Sequence, residues 1–122
     1  MRLEGVVKKG WGGEYIFATN DLYCGKIMYF HEGAKFSMHF HSVKDETWCV
    51  MQGKFEVITI DTTDASRTST ILNEGDTWRN LPLEPHQLIC LEEGIIIEVS
   101  TPDSVEDNYR VAPGDSQNES NG

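Results

Sequence analysis

Short segments with a period of two run through most of the chain and constrain its fold more than any other feature. They are rich in Val, Ile, Thr, Tyr, Phe and Trp and alternate between apolar and polar side chains. The alternation predicts strands at residues 23–30, 35–41, 46–51, 54–60, 68–72, 76–80, 87–91 and 95–100, separated by turns at 31–33, 61–66, 73–75, 83–85 and 92–94. No window of ten or more residues has the period of an amphipathic helix. We therefore expect an all-β sandwich or barrel.

The length and composition fit one small domain. The chain has 122 residues, of which 39% are hydrophobic and 10% aromatic, enough for one modest core. The last ten residues lack apolar side chains. We predict a β-barrel domain over residues 1–112 and a disordered tail over residues 113–122.

The net charge of −10 argues against two classes of partner. Nucleic acids and anionic membranes are bound through clusters of Lys and Arg, which are scarce here. No apolar run approaches the roughly 20 residues that a membrane-spanning helix needs, and the charged N-terminus does not resemble a signal peptide. We expect no nucleic-acid partner and no membrane partner.

The three cysteines, Cys24, Cys49 and Cys90, are widely spaced, and no CxxC motif occurs. All three lie in apolar segments, which is typical of buried, reduced thiols. A disulfide framework is the less favoured alternative. The cysteines and the absence of a signal peptide predict a cytoplasmic location.

The pair His39 and His41 is the main indication of chemistry. Residues i and i+2 of a strand point to the same face, so both imidazoles project from one side. A polar turn follows, and an antiparallel return would bring Glu46 back to the same neighbourhood. Two imidazoles and one carboxylate leave further coordination positions of a metal ion open to water or substrate. Such a ligand set suits Fe(II), Mn(II), Zn(II) or Ni(II). The alternative is a solvent-facing strand that carries two histidines by chance.

A further histidine weakens that alternative. His86 opens a later predicted strand, just after a turn made rigid by Pro82 and Pro85. The fourth histidine, His31, lies in a turn with glutamate and glycine. We expect His31 at the surface rather than among the metal ligands.

The spacing around the histidine pair resembles the first motif of the cupin superfamily. The pattern Gly33-x5-His39-x-His41-x4-Glu46-x6-Gly53 fits every fixed position of that motif. The motif is the feature that points to one family rather than to β-barrels in general.

The second cupin motif is matched in part. Gly75 through His86 keeps the separation between the motif's glycine and histidine. Inside it, the usual proline and glycine are displaced or replaced by Leu81 and Leu83, and Cys90 stands where the family often has asparagine. These departures bear on turn shape and strand packing, not on the ligand.

The resemblance implies a single-domain antiparallel β-barrel, the RmlC-like jelly roll or double-stranded β-helix. It also implies a divalent metal ion (Zn, Mn, Fe, Ni or Co) at the mouth of the barrel. The implied ligands are His39, His41, Glu46 and His86.

A finer resemblance is to the cupin domain of type II mannose-6-phosphate isomerases, over residues 10–114. The matching stretches are Trp11-Gly12-x-Glu14, Lys26, Lys44-Asp45-Glu46-Thr47-Trp48, Pro85-His86-x-Leu88 and Glu106-Asp107-Asn108-Tyr109-Arg110. Lys44 occupies a place where those enzymes usually carry arginine, and their frequent Asp-Tyr-Gly-Arg ending is absent.

Strand parity brings further side chains toward the implied metal. Ser37 is two residues before His39, so it lies on the same face of the predicted strand as the histidine pair. Trp48 is two residues after Glu46 and shares the face of Glu46 in the same way. We expect both to contact substrate, with the Trp48 ring as an apolar wall or a stacking face for a sugar. An ordinary core position is the alternative for Trp48.

Charged residues in apolar strands are candidates for catalysis. Lys26 lies among apolar neighbours, and so does Glu98. Each is either on an exposed face or inside, where the two could pair and act as acid and base. We expect Lys44 or Arg110 to hold a phosphate. The alternative for Arg110 is a salt bridge to an acidic neighbour, Glu106 or Asp107.

The resemblance implies a metal-dependent isomerase or epimerase of a sugar or sugar phosphate, with Lys26, Glu98 and Lys44 as candidate catalytic residues. The expected partners are a small-molecule carbohydrate and, from the resemblance, a second copy of the chain in a homodimer. Two alternatives stay open: an Fe(II)-dependent dioxygenase, and a non-catalytic module that binds a sugar or metabolite.

Overall fold

A computed structural model describes residues 7–102, 105–112 and 114 of the chain. The strands are β1 (Val7–Lys9), β2 (Gly12–Thr19), β3 (Cys24–Phe30), β4 (Met38–Phe40), β5 (Glu46–Ile60), β6 (Arg67–Leu72), β7 (Thr77–Asn80), β8 (His86–Ser100) and β9 (Tyr109–Ala112). The described residues contain no α-helix, only one 3-10 turn at Val105–Asp107. The fold is all-β, as predicted.

Two long strands, β5 and β8, organise the sheet. Each has 15 residues, and they run antiparallel along their whole length. The first half of β5 pairs with the second half of β8 and with β7, while its second half pairs with the first half of β8 and with β6. Strands β3, β2 and β1 extend one side of the sheet, and β4 and β9 extend the other. The antiparallel sheet therefore curls around one core in a jelly-roll arrangement.

The predicted turn at 92–94 is wrong, because strand β8 continues through these residues. Strand β5 likewise continues through Gly53, which faces them. Gly53 has a φ of +88°, and a Cβ on Gly94 would lie 2.1 Å from the carbonyl oxygen of Gln52. The register between the two strands shifts three times between Val50 and Phe55. The glycines thus mark a bulged bend where two backbones nearly touch, not the end of a strand.

Strands β1, β2 and β9 have no counterpart in the sequence prediction. Strands β1 and β9 are short, with three and four residues, and β2 opens with two glycines, so none gives a clear apolar alternation. Strand β4 is shorter than the predicted strand at 35–41, and His41 lies just after its end.

An aromatic cluster fills the core between the two sides of the sheet. Trp11 stacks on Phe30 with ring centroids 4.7 Å apart, and Phe55 meets Phe30 edge-on at 5.2 Å. Phe36 packs against both Trp11 and Phe30 at 4.8 and 5.4 Å. Burial of these rings against Leu88 and the other apolar core residues supplies the main stabilisation of the barrel.

Most of the predicted tail, residues 113–122, lies outside the described residues. Gly114 is described and buried, and a Cβ there would lie 2.2 Å from the backbone nitrogen of Ser37. The three cysteines are free, with Cys24 and Cys90 buried. Among the described residues, no helix has the length and apolar character needed to cross a membrane.

The loop before His86 is strained at one position. Leu83 has a φ of +70°, a left-handed conformation that favours glycine. Leucine therefore occupies a backbone conformation that glycine adopts without strain. The Leu83 side chain is 61% exposed, while its N–H donates to the carbonyl oxygen of His41 at 2.6 Å. The strained turn therefore connects the loop to the histidine pair.

Replacing Leu83 by glycine should stabilise the protein. The substitution removes about 1–3 kcal/mol of backbone strain, which outweighs the roughly 0.4–1 kcal/mol lost through added freedom of the unfolded chain. Little burial is lost, because the leucine side chain is largely exposed. Urea unfolding of Leu83→Gly should give a higher free energy of unfolding than wild type. The matched control is Leu81→Gly, an exposed leucine in the same loop without positive φ, which should be destabilising through added freedom of the unfolded chain. An equal loss of stability in both variants would contradict this.

Candidate metal centre

Three strands bring the four predicted ligands together. His39 lies in β4 directly opposite His86 at the start of β8, and Glu46 begins β5, which also pairs with β8. His41 follows β4 by one residue. One ligand atom from each of the four residues lies within 4.8 Å of all the others. This group can hold a divalent metal ion.

The three imidazoles are oriented by backbone carbonyls. The Nδ1 of His39 lies 2.9 Å from the carbonyl oxygen of Ser37, that of His41 lies 2.6 Å from Asp107, and that of His86 lies 2.9 Å from Glu84. A carbonyl oxygen can only accept, so each Nδ1 must carry the proton and donate. Each Nε2 is then left with a free lone pair, which is the arrangement found when histidine binds a metal.

The Nε2 atoms of His41 and His86 both lie near the carboxylate of Glu46. Its Oε1 lies 3.6 Å from the Nε2 of His41 and 3.4 Å from that of His86. Among the described residues, Glu46 Oε1 and His86 Nε2 are buried without a hydrogen-bond partner. Lone pairs and a carboxylate that face one another in a buried site repel unless a cation lies between them. The donor set therefore fits a divalent ion.

Burial keeps these histidines neutral. It lowers the pKa of His39 to about 3, and it also lowers the pKa values of His41 and His86. Neutral imidazole is the form that coordinates metals. His31 is exposed, as predicted.

A second buried cluster centres on Glu98. Lys26 lies opposite Glu98 in the β3–β8 register, with Nζ 3.6 Å from Oε2. Lys44 Nζ lies 3.4 Å from the same oxygen, and Lys26 Nζ is also 3.7 Å from Glu14. Lys26, Lys44 and Glu98 are buried, so the interior alternative for Lys26 and its pairing with Glu98 are confirmed.

Burial raises the pKa of Glu98 to about 7, and the nearby Glu46 carboxylate adds to this effect. The ammonium groups of Lys44 and Lys26 act in the opposite direction. Lys44 and Lys26 both contact Glu98, and Lys26 also contacts Glu14, so each buried charge of the cluster has a partner of opposite sign.

Trp48 joins the two clusters. It lies opposite Glu98 in the β5–β8 register, and its Nε1 donates to Glu98 Oε1 at 2.9 Å. Its ring meets that of His86 edge-on, with centroids 5.7 Å apart. Trp48 is only 1% exposed, so it belongs to the core, which was the alternative considered for it.

The remaining predicted site residues lie on the side of β4 and β9. Arg110 is exposed and lies opposite His39 in the register of these strands. Among the described residues it forms neither of the salt bridges considered for it. Ser37 is buried, and its hydroxyl lies 3.2 Å from the Nδ1 of His39.

Asp107 had no predicted role at the metal centre. The residue lies in the 3-10 turn, far along the chain from the histidine pair, yet its carbonyl oxygen orients His41. In the sequence it was considered only as a salt-bridge partner of Arg110. No local pattern predicts a contact across so many residues.

Comparisons with known proteins show the cupin fold. No protein-family model and no curated protein matches the sequence. Oxalate decarboxylase from Bacillus subtilis at pH 4.6 has a TM-score of 0.74 at 20% identity, covering 88% of this chain and 30% of that chain. A structure of the same enzyme concerned with its Mn(II) centers has a TM-score of 0.73 at 19% identity, again covering 88% and 30%.

A structure of more similar size is an RmlC-like cupin from Shewanella frigidimarina NCIMB 400. Its TM-score is 0.71 at 22% identity, and the match covers 84% of this chain and 86% of that chain. At such identities the likeness shows the fold alone. The chain spans less than a third of the length of the decarboxylase.

Adding a divalent ion should stabilise the protein. An ion that binds only the folded state adds about 3 kcal/mol at a concentration one hundred times its Kd. Calorimetry of protein stripped with a chelator should therefore show a higher Tm when Mn²⁺, Zn²⁺ or Co²⁺ is added. His39→Ala should abolish the increase, while His31→Ala, which removes the exposed histidine, should retain it. An equal increase in the His39→Ala protein would exclude the group as the binding site.

Proposed function

From the cupin fold and its four-residue group able to hold a divalent metal ion, we propose that the chain is a metal-dependent isomerase or epimerase of a sugar or sugar phosphate, like the type II mannose-6-phosphate isomerases. The observation that carries the proposal is the adjacency of two clusters. Three imidazoles and Glu46 offer an ion its ligands, and Trp48 connects His86 to the buried Glu98 with its two lysines.

Aldose–ketose isomerisation moves a proton between adjacent carbons through an enediol. When bound, a divalent ion polarises the carbonyl and stabilises negative charge on its oxygen. Glu98 supplies the carboxylate that takes the proton from one carbon and returns it to the next. Lys26 holds that carboxylate from β3, and Lys44 holds it from the loop at 42–45. Trp48 fixes its second oxygen.

Arg110 is the proposed contact for a phosphate. Its exposed side chain is on the strand next to His39, at the rim of the site, and a guanidinium binds phosphate through two parallel hydrogen bonds. Ser37 completes the proposed substrate side of the site, while the buried Trp48 acts through the Glu98 oxygen that it fixes. An unphosphorylated sugar would not need Arg110, so the kinetic effect of Arg110→Ala separates the two substrate classes.

Glu98→Gln should abolish most of the isomerase activity and leave metal binding intact. The amide keeps an acceptor for Trp48 but cannot take the proton, so kcat should fall by about 10²–10⁴-fold. The assay is a panel of aldoses, ketoses and their phosphates with Mn, Zn, Co, Fe or Ni, alongside metal analysis. Arg79→Ala is the control, because it changes a charge in the exposed pair with Asp45.

Two results would replace this proposal. Sugar binding without turnover under any metal would identify a non-catalytic binding module. Oxygen consumption by the Fe(II)-loaded protein would identify a dioxygenase.

We also propose that the chain is a cytoplasmic homodimer. The free cysteines support a reducing compartment. The outer face of the sheet supports a second copy, since Tyr15, Ile27, Ile97 and Cys49 lie side by side across four strands and are only half-buried. An apolar face of this kind is typical of subunit interfaces.

A charge on this face should dissociate the dimer. Val99 shares the outer face with Ile97 and is 53% exposed, so Val99→Asp leaves the core untouched. Sedimentation velocity should give a dimer for wild type and a monomer for Val99→Asp. Ile71→Asp on β6, also exposed, should remain dimeric. A monomeric wild-type protein would contradict the assignment.

A further inference from the structure

We propose that Asp107 is a positioning residue that holds the metal centre together from the C-terminal side. The C-terminal strap, residues 105–112, comprises the 3-10 turn and β9. Asp107 joins this strap to the loop at 42–45, which connects His41 to Glu46. The inference rests on the proposed metal centre and adds a residue that its ligands depend on.

His41 is oriented differently from the other two histidines. The carbonyls that accept from His39 and His86 belong to residues two positions earlier in the same segment, Ser37 and Glu84. The carbonyl that accepts from His41 belongs to Asp107, 66 positions away. The Nε2 atom of His41 therefore points toward the other ligands only when the strap is packed against the loop at 42–45. The other two imidazoles are oriented by carbonyls of their own segments.

The Asp107 side chain fixes the adjoining loop. Its Oδ1 accepts from the backbone N–H of Ser42 at 2.7 Å and from the Ser42 hydroxyl at 2.5 Å. Its Oδ2 accepts from the N–H groups of Val43 at 3.1 Å and Lys44 at 3.0 Å. One carboxylate therefore satisfies three consecutive amides between His41 and Glu46. Hydrogen bonds to a charged acceptor are stronger than neutral ones.

Among the described side chains of β9, apolar burial is small. Tyr109 and Val111 are 46% and 54% exposed, and Arg110 is also exposed. The Tyr109 ring stacks on Phe40 at 5.1 Å, and β9 pairs with β4. The Asp107 carboxylate adds a polar attachment at the start of the strap.

The same contacts reach the proposed catalytic cluster. Lys44 is held at its backbone by Asp107 and at its ammonium group by Glu98. Loss of the carboxylate would release the amides of Ser42, Val43 and Lys44 and weaken the attachment of the Asp107 backbone, whose carbonyl orients His41. Loss of a contact that supports a metal ligand typically lowers affinity by about 10–100-fold.

The test is the affinity for Mn²⁺, measured by calorimetric titration of the full chain after metal removal. Asp107→Ala should raise the Kd about 10–100-fold. Glu106→Ala removes the same charge from the exposed neighbouring residue and should stay within about twofold of wild type. Far-UV circular dichroism should give the same spectrum for both variants as for wild type.

A metal-free readout separates positioning from general loss of structure. In ¹H–¹⁵N spectra of the histidine rings, the hydrogen-bonded Nδ1–H signal of His41 should disappear in Asp107→Ala. The signals of His39 and His86, whose acceptors are local, should persist. Loss of all three would indicate unfolding of the site and overturn the positioning role.

Failure of this inference is distinguishable from failure of the proposed metal centre. If His39→Ala binds Mn²⁺ as tightly as wild type, the metal centre is wrong. If His39→Ala loses binding while Asp107→Ala matches Glu106→Ala, only the role of Asp107 is wrong. Should Asp107→Ala not fold, Asp107→Asn and Ser42→Ala replace it. A raised Kd in both then supports the role, and an unchanged Kd overturns it.

Discussion

The antiparallel pairing of β5 with β8 is the constraint on which the rest of the structure depends. The pairing places Trp48 opposite Glu98 at one end and, after the shifts in register near Gly53, Thr59 opposite His86 at the other. Between them the strands bend together at a bulge, where Gly94 approaches the backbone of Gln52 too closely for any side chain. The bend lets both halves of each strand face one core. The two long strands therefore supply the wall of the barrel and half of its polar site.

The barrel interior is divided between apolar packing and buried charge. Aromatic and aliphatic side chains fill one region, while the ligand group and the Glu98 cluster occupy another. Buried ionic groups are weak sources of stability, because desolvation offsets most of their attraction. Their presence in so small a domain is better explained by chemistry than by folding. Trp48 is shared between the regions, since its ring packs in the core and its N–H binds Glu98.

The part of the fold that could be predicted follows from local periodicity. The alternation of side chains located most strands, but residues 92–94, which lie in the bend of β8, were predicted to form a turn. The edge strands were missed because β1 and β9 are too short to show a period. Leu83 shows another limit, since its backbone is left-handed although leucine disfavours that conformation. Residue preferences alone therefore could not predict the shape of this turn.

The sequence by itself determined which residues could share a face. Residues two apart in a strand point to the same side, which puts His39 beside His41. The spacing of Gly33 and Gly53 around them resembles the first cupin motif. Only the tertiary structure decided which face is inside and what lies opposite. Lys26 could have pointed either way until pairing with β8 placed it against Glu98, and Asp107 became part of the site only through a hydrogen bond across 66 positions. The physical reason is that side-chain alternation is a property of one strand's backbone, whereas register and docking depend on the packing of distant segments.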